Sequence, residues 1–133
     1  MLVHFYRFLE KIIASPARKN RTLLILTGSA FVINILIWLL ILLRLRPIIL
    51  ALPNSDVFIP LHYNTYLGVD KYGDWKNIFY LPGIGLFIFL TNSFFALTIY
   101  NRKDILSYFL VSANFLAQLI LLVATIFIIL INL

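Results

Sequence analysis

The chain contains no cysteine, which excludes disulfides, thiolate nucleophiles and cysteine metal sites, and leaves the redox compartment without a mark on the sequence. Charge is scarce as well. Asp, Glu, Lys and Arg together make up 12% of the 133 residues, against about 25% in soluble globular domains. Acidic residues are the scarcest, 5 against 11 basic ones, for a net charge of +6. The three longest apolar runs contain no Asp, Glu, Lys, Arg or His at all. No repeat or low-complexity tract is present. What fills the chain instead is apolar surface: 62% of residues are hydrophobic, and the mean hydropathy is +1.00. The solvent for most of this polypeptide is therefore lipid, and residues 1–133 form a single membrane domain with no room for a large soluble one.

Residues 1–14 place Leu2, Phe5, Tyr6, Leu9, Ile12 and Ile13 at helical spacing, with His4, Arg7 and Lys11 on the other face. This predicts an amphipathic interfacial helix, too short and too charged to span a bilayer. Pro16 ends it, and Arg18, Lys19 and Arg21 follow as a cluster suited to anionic lipid headgroups. Basic residues beside a span are explained by topology, so no nucleic acid partner is expected. Residues 22–43 are uncharged and reach about 33 Å as a helix, enough for the first span. The run exceeds the apolar core of a cleaved signal peptide and no small-residue cleavage pattern follows, which favours an uncleaved anchor. Arg44, Arg46 and Pro47 are expected to close this helix. Residues 78–100 form the second span, with Pro82 near the outer end set to kink it or split off a short turn. Residues 105–133 form the third, longer than a bilayer requires and so tilted or protruding. The expected fold class is an all-α membrane protein of three transmembrane helices, with the interfacial helix at the N-terminus and an aromatic loop over residues 44–77.

Five of the Lys and Arg residues precede the first span, four lie in the first loop and two in the second. The tail and the second loop share a side, so the positive-inside rule places the N-terminus in the cytoplasm and the long loop outside. Arg44 and Arg46 argue the other way.

An amide without a partner is unfavourable in lipid, so the amides at membrane depth mark helix contacts. Counting from the cytoplasmic ends, Asn34 lies about 18 Å deep, Asn92 about 12 Å, Asn114 about 14 Å and Gln118 about 20 Å. Depth therefore pairs Asn92 with Asn114 and Asn34 with Gln118 in a polar seam. Thr27, Ala30 and Asn34 share one helix face, Gly85, Asn92 and Ala96 another, and Ala113, Asn114, Ala117 and Gln118 a third. The competing reading is a path for a proton, ion or solute. It lacks the ionisable groups that mark such relays.

The run LHYNTYLGVDKYGDW at 61–75 is the stretch that a bilayer would refuse. A turn signal at Asn54, Ser55 and Asp56 precedes it, and residues 57–67 read as an extended segment or loose hairpin interrupted by Pro60. Gly68 and Gly73 are expected to supply positive φ, and Asp74 to cap a helix opening at Trp75. His62, Tyr63, Asn64, Tyr66, Asp70 and Trp75 are candidates for a docking surface, being large, amphipathic or polar-tipped. Interfacial anchoring explains the aromatic ones equally well. His62, Asp56, Asp70 and Asp74 lack a zinc or calcium spacing. Ser55, His62 and Asp70 lack a nucleophile elbow. The GIG at 83–85 lacks the rest of a phosphate-binding motif. No catalytic residue, metal or cofactor is therefore expected.

The run LHYNTYLGVD, the following GDWKNIFYLPGIGLFIFLTN and the YNRKD turn resemble a group of uncharacterised small bacterial membrane proteins of the candidate-phyla type, over about residues 59–131. The resemblance implies three spans and an inner-membrane setting, and supplies no activity, substrate or site residue. The leading functional expectation is a non-enzymatic accessory or assembly subunit whose outer loop caps the bundle and docks a membrane protein partner. The alternative is a small homo-oligomeric transporter or channel with the amides turned to a shared pore. An enzyme with its site in the loop ranks last.

Overall fold

The computed structural model describes residues 6, 15–51 and 58–133. The interfacial helix expected over residues 1–14 lies outside the described residues except for the exposed Tyr6, as does the turn at residues 54–56. Among the described residues, three helices are long and apolar enough to cross a membrane: Arg21–Leu45, Trp75–Ile99 and Asp104–Ile131. The elements run in the order α1 (Arg21–Leu40), a π-helical turn (Ile41–Leu45), α2 (Arg46–Leu50), β1 (Phe58–Asn64), β2 (Gly68–Asp74), a 3-10 turn (Trp75–Phe79), α3 (Tyr80–Ile99) and α4 (Asp104–Ile131). The all-α expectation is corrected by the two antiparallel strands, β1 and β2.

The first two rods start where the sequence offers a partner for the first free amides. Asn20 caps α1, its side-chain oxygen accepting from the Leu23 amide at 3.2 Å. Asp74 accepts from the Lys76 amide at 3.0 Å and opens the 3-10 turn that leads into α3. Pro82 then falls in the first turn of α3, where its missing N–H is not needed. The short turn expected ahead of Pro82 is thus the 3-10 segment.

The first rod does not close at Arg44. It widens into the π turn and continues through α2 to Leu50, past Pro47. Proline removes a helical amide and crowds the carbonyl four residues back, and a widened turn just before it relieves that clash. The same turn keeps the core stripe straight. Ile37, Ile41, Leu45 and Ile49 are all buried, four residues apart each time. In a regular helix four residues overshoot one turn by about 40°, whereas the wider π turn falls short of one, so the drift is offset. Ile59 of β1, Ile78 and Ile129 complete this cluster at the end of the bundle that carries the strands.

Helix α4 is the centre of the bundle, packing along both α1 and α3. Ser107 Oγ donates to the Ala96 carbonyl at 2.8 Å, and Gln118 Nε2 to the Gly85 carbonyl at 2.7 Å. Ser107 and Gln118 are as far apart on α4 as Ala96 and Gly85 are on α3, so a single antiparallel register runs the length of the pair. Gly85 is required by that closeness. A Cβ there would lie 2.7 Å from Asn34 Nδ2, 3.0 Å from Gln118 Oε1 and 3.0 Å from a Leu121 methyl.

Candidate functional site

The strands form a hairpin that sits on the C-terminal end of α4. Asn64 pairs with Gly68 across a three-residue turn, and Gly68 takes φ +74°, a value that suits glycine. Asn64 Oδ1 accepts from the Tyr66 amide at 2.9 Å, an Asx turn that tightens the bend. Gly73 does not have positive φ, contrary to the expectation from its residue type. Its role is close approach, since a Cβ would lie 2.6 Å from a Leu61 methyl. A lone two-stranded hairpin is marginal in water. This one is tied down by buried Ile59 and by Asn132, whose Nδ2 donates to the Pro60 carbonyl at 2.9 Å and to the Ile128 carbonyl at 2.8 Å. Pro60 lies in β1, where sheet proline is tolerated on an edge.

The ladder runs in one register at both ends, with two compensating irregularities around His62. His62 itself pairs with Lys71, one step out of that register, and Asp70 is the next residue along β2. His62 Nδ1 and Asp70 Oδ1 meet at 2.6 Å, on the exposed side of the hairpin. The hydrogen bond from His62, the largest influence, holds the Asp70 carboxyl below its ordinary value. Asp74, the other described carboxylate of the loop, serves as the helix cap. The pair therefore fastens one strand to the other. Grooves of about 380 and 440 Å³ flank Leu61 and His62 between the hairpin and the helix ends, floored by Ile128.

Of the expected docking residues, His62, Tyr63, Tyr66 and Asp70 are exposed, Tyr66 by 93%. Asn64 is half-buried and serves the turn. Trp75 is not presented outward. It is half-buried, edge-on to Phe79 with ring centres 6.0 Å apart, while Phe79 lies 5.9 Å from Trp38 of α1. Phe58, Leu67 and Tyr72 join the exposed surface, Leu67 by 76%. Phe58 and Tyr72 stand beside the inward Ile59 and Gly73, and Leu67 lies in the turn.

Within the bundle, Asn34 Nδ2 donates to Gln118 Oε1 at 3.1 Å and to the Pro82 carbonyl at 3.2 Å. These are the two amides of the deeper pair. Asn92 and Asn114 do not pair, because both polar atoms of the fully buried Asn114 have no hydrogen-bond partner among the described residues. The α3–α4 register explains the miss: it sets Asn114 level with Phe89 and Asn92 level with Val111, three residues or about 4.5 Å out of step. One turn back from the Asn34–Gln118 contact, Asn114 is level with Ala30, which is equally buried. Asn92 is half-buried.

The end of the bundle away from the hairpin holds a cluster that the sequence does not announce. Asn20 Nδ2 donates to the Tyr100 hydroxyl at 2.9 Å and the Tyr108 hydroxyl at 2.6 Å, and Ser15 Oγ to the Leu97 carbonyl at 3.2 Å. Together these bonds make a three-way latch between the start of α1, the end of α3 and the start of α4. Arg18, Lys19 and Arg21 are exposed beside it. Comparison with protein-family models, curated sequences and solved structures gives no match.

Proposed function

We propose that this chain is a non-enzymatic accessory or assembly subunit of a bacterial inner membrane, docking a membrane protein partner through its outer β-hairpin. The observation that carries the reading is an ordered hairpin that turns Phe58, Tyr63, Tyr66, Leu67 and Tyr72 to the outside while its base is bonded to the bundle. Exposed aromatics on a rigid mount lose little entropy on binding and make good anchors. The N-terminus lies in the cytoplasm and the hairpin outside. The pore reading receives less support, because Asn34 and Gln118 are engaged with each other inside one copy of the chain and Asn114 is buried there too.

A photoreactive residue at position 66 or 67, activated in native membranes and followed by mass spectrometry, tests the proposal. One recurrent protein adduct, lost with Tyr66→Ala plus Leu67→Ser, is the expected result. Adducts to lipid alone would refute docking. Because the chain has no cysteine, Thr65→Cys provides a single thiol, and labelling of intact spheroplasts by an impermeant maleimide tests the topology.

A further inference from the structure

At the end of the bundle away from the hairpin, a cleft of about 160 Å³ opens between the Pro16–Lys19 turn, α1 and α3, with Val111 of α4 in its wall. Leu23, Leu24 and Leu97 make it apolar, and Thr27 and Ser93 lie within it. Both are nearly two helical turns in from the ends of their rods, about 9 Å. The Ser93 hydroxyl is buried and has no hydrogen-bond partner among the described residues. That is unlike its neighbours on the same helix. Thr91 returns its hydroxyl to the Phe87 carbonyl at 2.8 Å and Thr98 to the Phe94 carbonyl at 3.1 Å, the usual arrangement for a hydroxyl inside a helix. A donor is thus held in the wall of an apolar cleft with no partner among the described residues.

The rim of the cleft is basic. Arg18 lines the mouth, and Lys19, Arg21, Arg102 and Lys103 are exposed at the same end. Asp104 is the carboxylate of this end among the described residues, and it accepts from the adjacent Ile105 amide at 2.8 Å. Positive charge at the water boundary, apolar walls below and a lone hydroxyl between them match the order of groups in a phospholipid: phosphate, ester and chain. A helix is about 10 Å thick and does not fit such a cleft, whereas a single acyl chain does.

We propose that this cleft binds one anionic glycerophospholipid of the surrounding leaflet. The phosphate sits among Arg18, Lys19 and Arg21, an ester carbonyl accepts from Ser93, and the upper part of one acyl chain lies between Leu23, Leu24 and Leu97. A basic pocket between spans is a known form of headgroup recognition. The site goes beyond docking by the hairpin, because it lies at the opposite end of the bundle.

Native mass spectrometry of the detergent-solubilised full chain, titrated with equal amounts of phosphatidylglycerol and phosphatidylcholine, tests it. The expected result is one retained phosphatidylglycerol, favoured by about tenfold or more. Each arginine near a headgroup is worth about fivefold, so Arg18→Gln with Arg21→Gln brings retention down to that of phosphatidylcholine. Thr27→Phe, which fills the cleft, abolishes retention of both lipids, and circular dichroism of each variant checks that the helices persist. Equal retention of the two lipids by the unmodified chain overturns the headgroup assignment. An adduct that survives Thr27→Phe, or a dimer in place of a lipid adduct, overturns the cleft.

Discussion

The same substitution at two fully buried asparagines should change stability in opposite directions. Asn34→Leu removes two hydrogen bonds from α1, to Gln118 and to the Pro82 carbonyl. Side-chain bonds between helices in membranes are worth about 0.6 kcal/mol each and up to ~1.7. The larger effect is that Gln118 Oε1 loses its donor in an apolar interior, worth about 1–3 kcal/mol. The expected loss is therefore about 2–4 kcal/mol. At Asn114 neither polar atom has a partner among the described residues, so Asn114→Leu removes an unpaired amide and keeps four side-chain heavy atoms of similar shape. Relief of even part of the desolvation penalty gives a gain of about 1 kcal/mol. Equilibrium unfolding in mixed micelles, followed by the fluorescence of Trp38 and Trp75, measures both. A loss at Asn114 as large as that at Asn34 would refute the reasoning, since it would mean that both amides are satisfied alike.

Three more outcomes are expected. Gly85→Ala should destabilise by about 1–3 kcal/mol through overpacking against Asn34 and Gln118, whereas Gly28→Ala, with nothing within 4 Å of the new methyl, should gain about 0.5–1 kcal/mol in the same titration. Asn20→Ala removes a helix cap and two tyrosine bonds at once, for a loss of about 2 kcal/mol; a change under a few tenths would dismiss the latch. The Asp70 carboxyl is lowered in the folded chain, so its contribution to hairpin stability is present above the unfolded carboxylate value of about 3.9 and is lost as pH falls through the lowered one. Proteolysis at the hairpin, followed on the acid side, should show that loss in the native chain and not in Asp70→Asn.

The rods were legible because an uncharged apolar run long enough to cross a bilayer has few other solutions. Their ends were less so. Arg44, Arg46 and Pro47 read as a stop, yet the wide turn ahead of Pro47 carries the helix through all three. Depth counting brought Asn34 to Gln118 because α1 and α4 run side by side in the same direction. It failed for Asn92 because the count started from residues 100 and 105, whereas the level ends are Ile99 and Asp104, from which Asn92 is seven residues in and Asn114 ten. Gly68 marks the hairpin turn, but no residue type there marks the register, and so neither the burial of Trp75 against Phe79 nor the exposure of Phe58 is legible. The Asn20 latch joins residues 80 and 88 positions apart, a separation at which periodicity is silent.

The wide turn at Ile41–Leu45 also decides where this chain can change length. Elsewhere in a rod, an inserted or deleted residue swings everything beyond it by about 100°. Here the helix already stores one surplus residue, and losing it would leave Ile41 and Leu45 three apart, a spacing that an ordinary helix accepts on one face. The last third of the first rod thus hangs on a built-in slack joint, and single-residue deletions should be tolerated there and almost nowhere else along it.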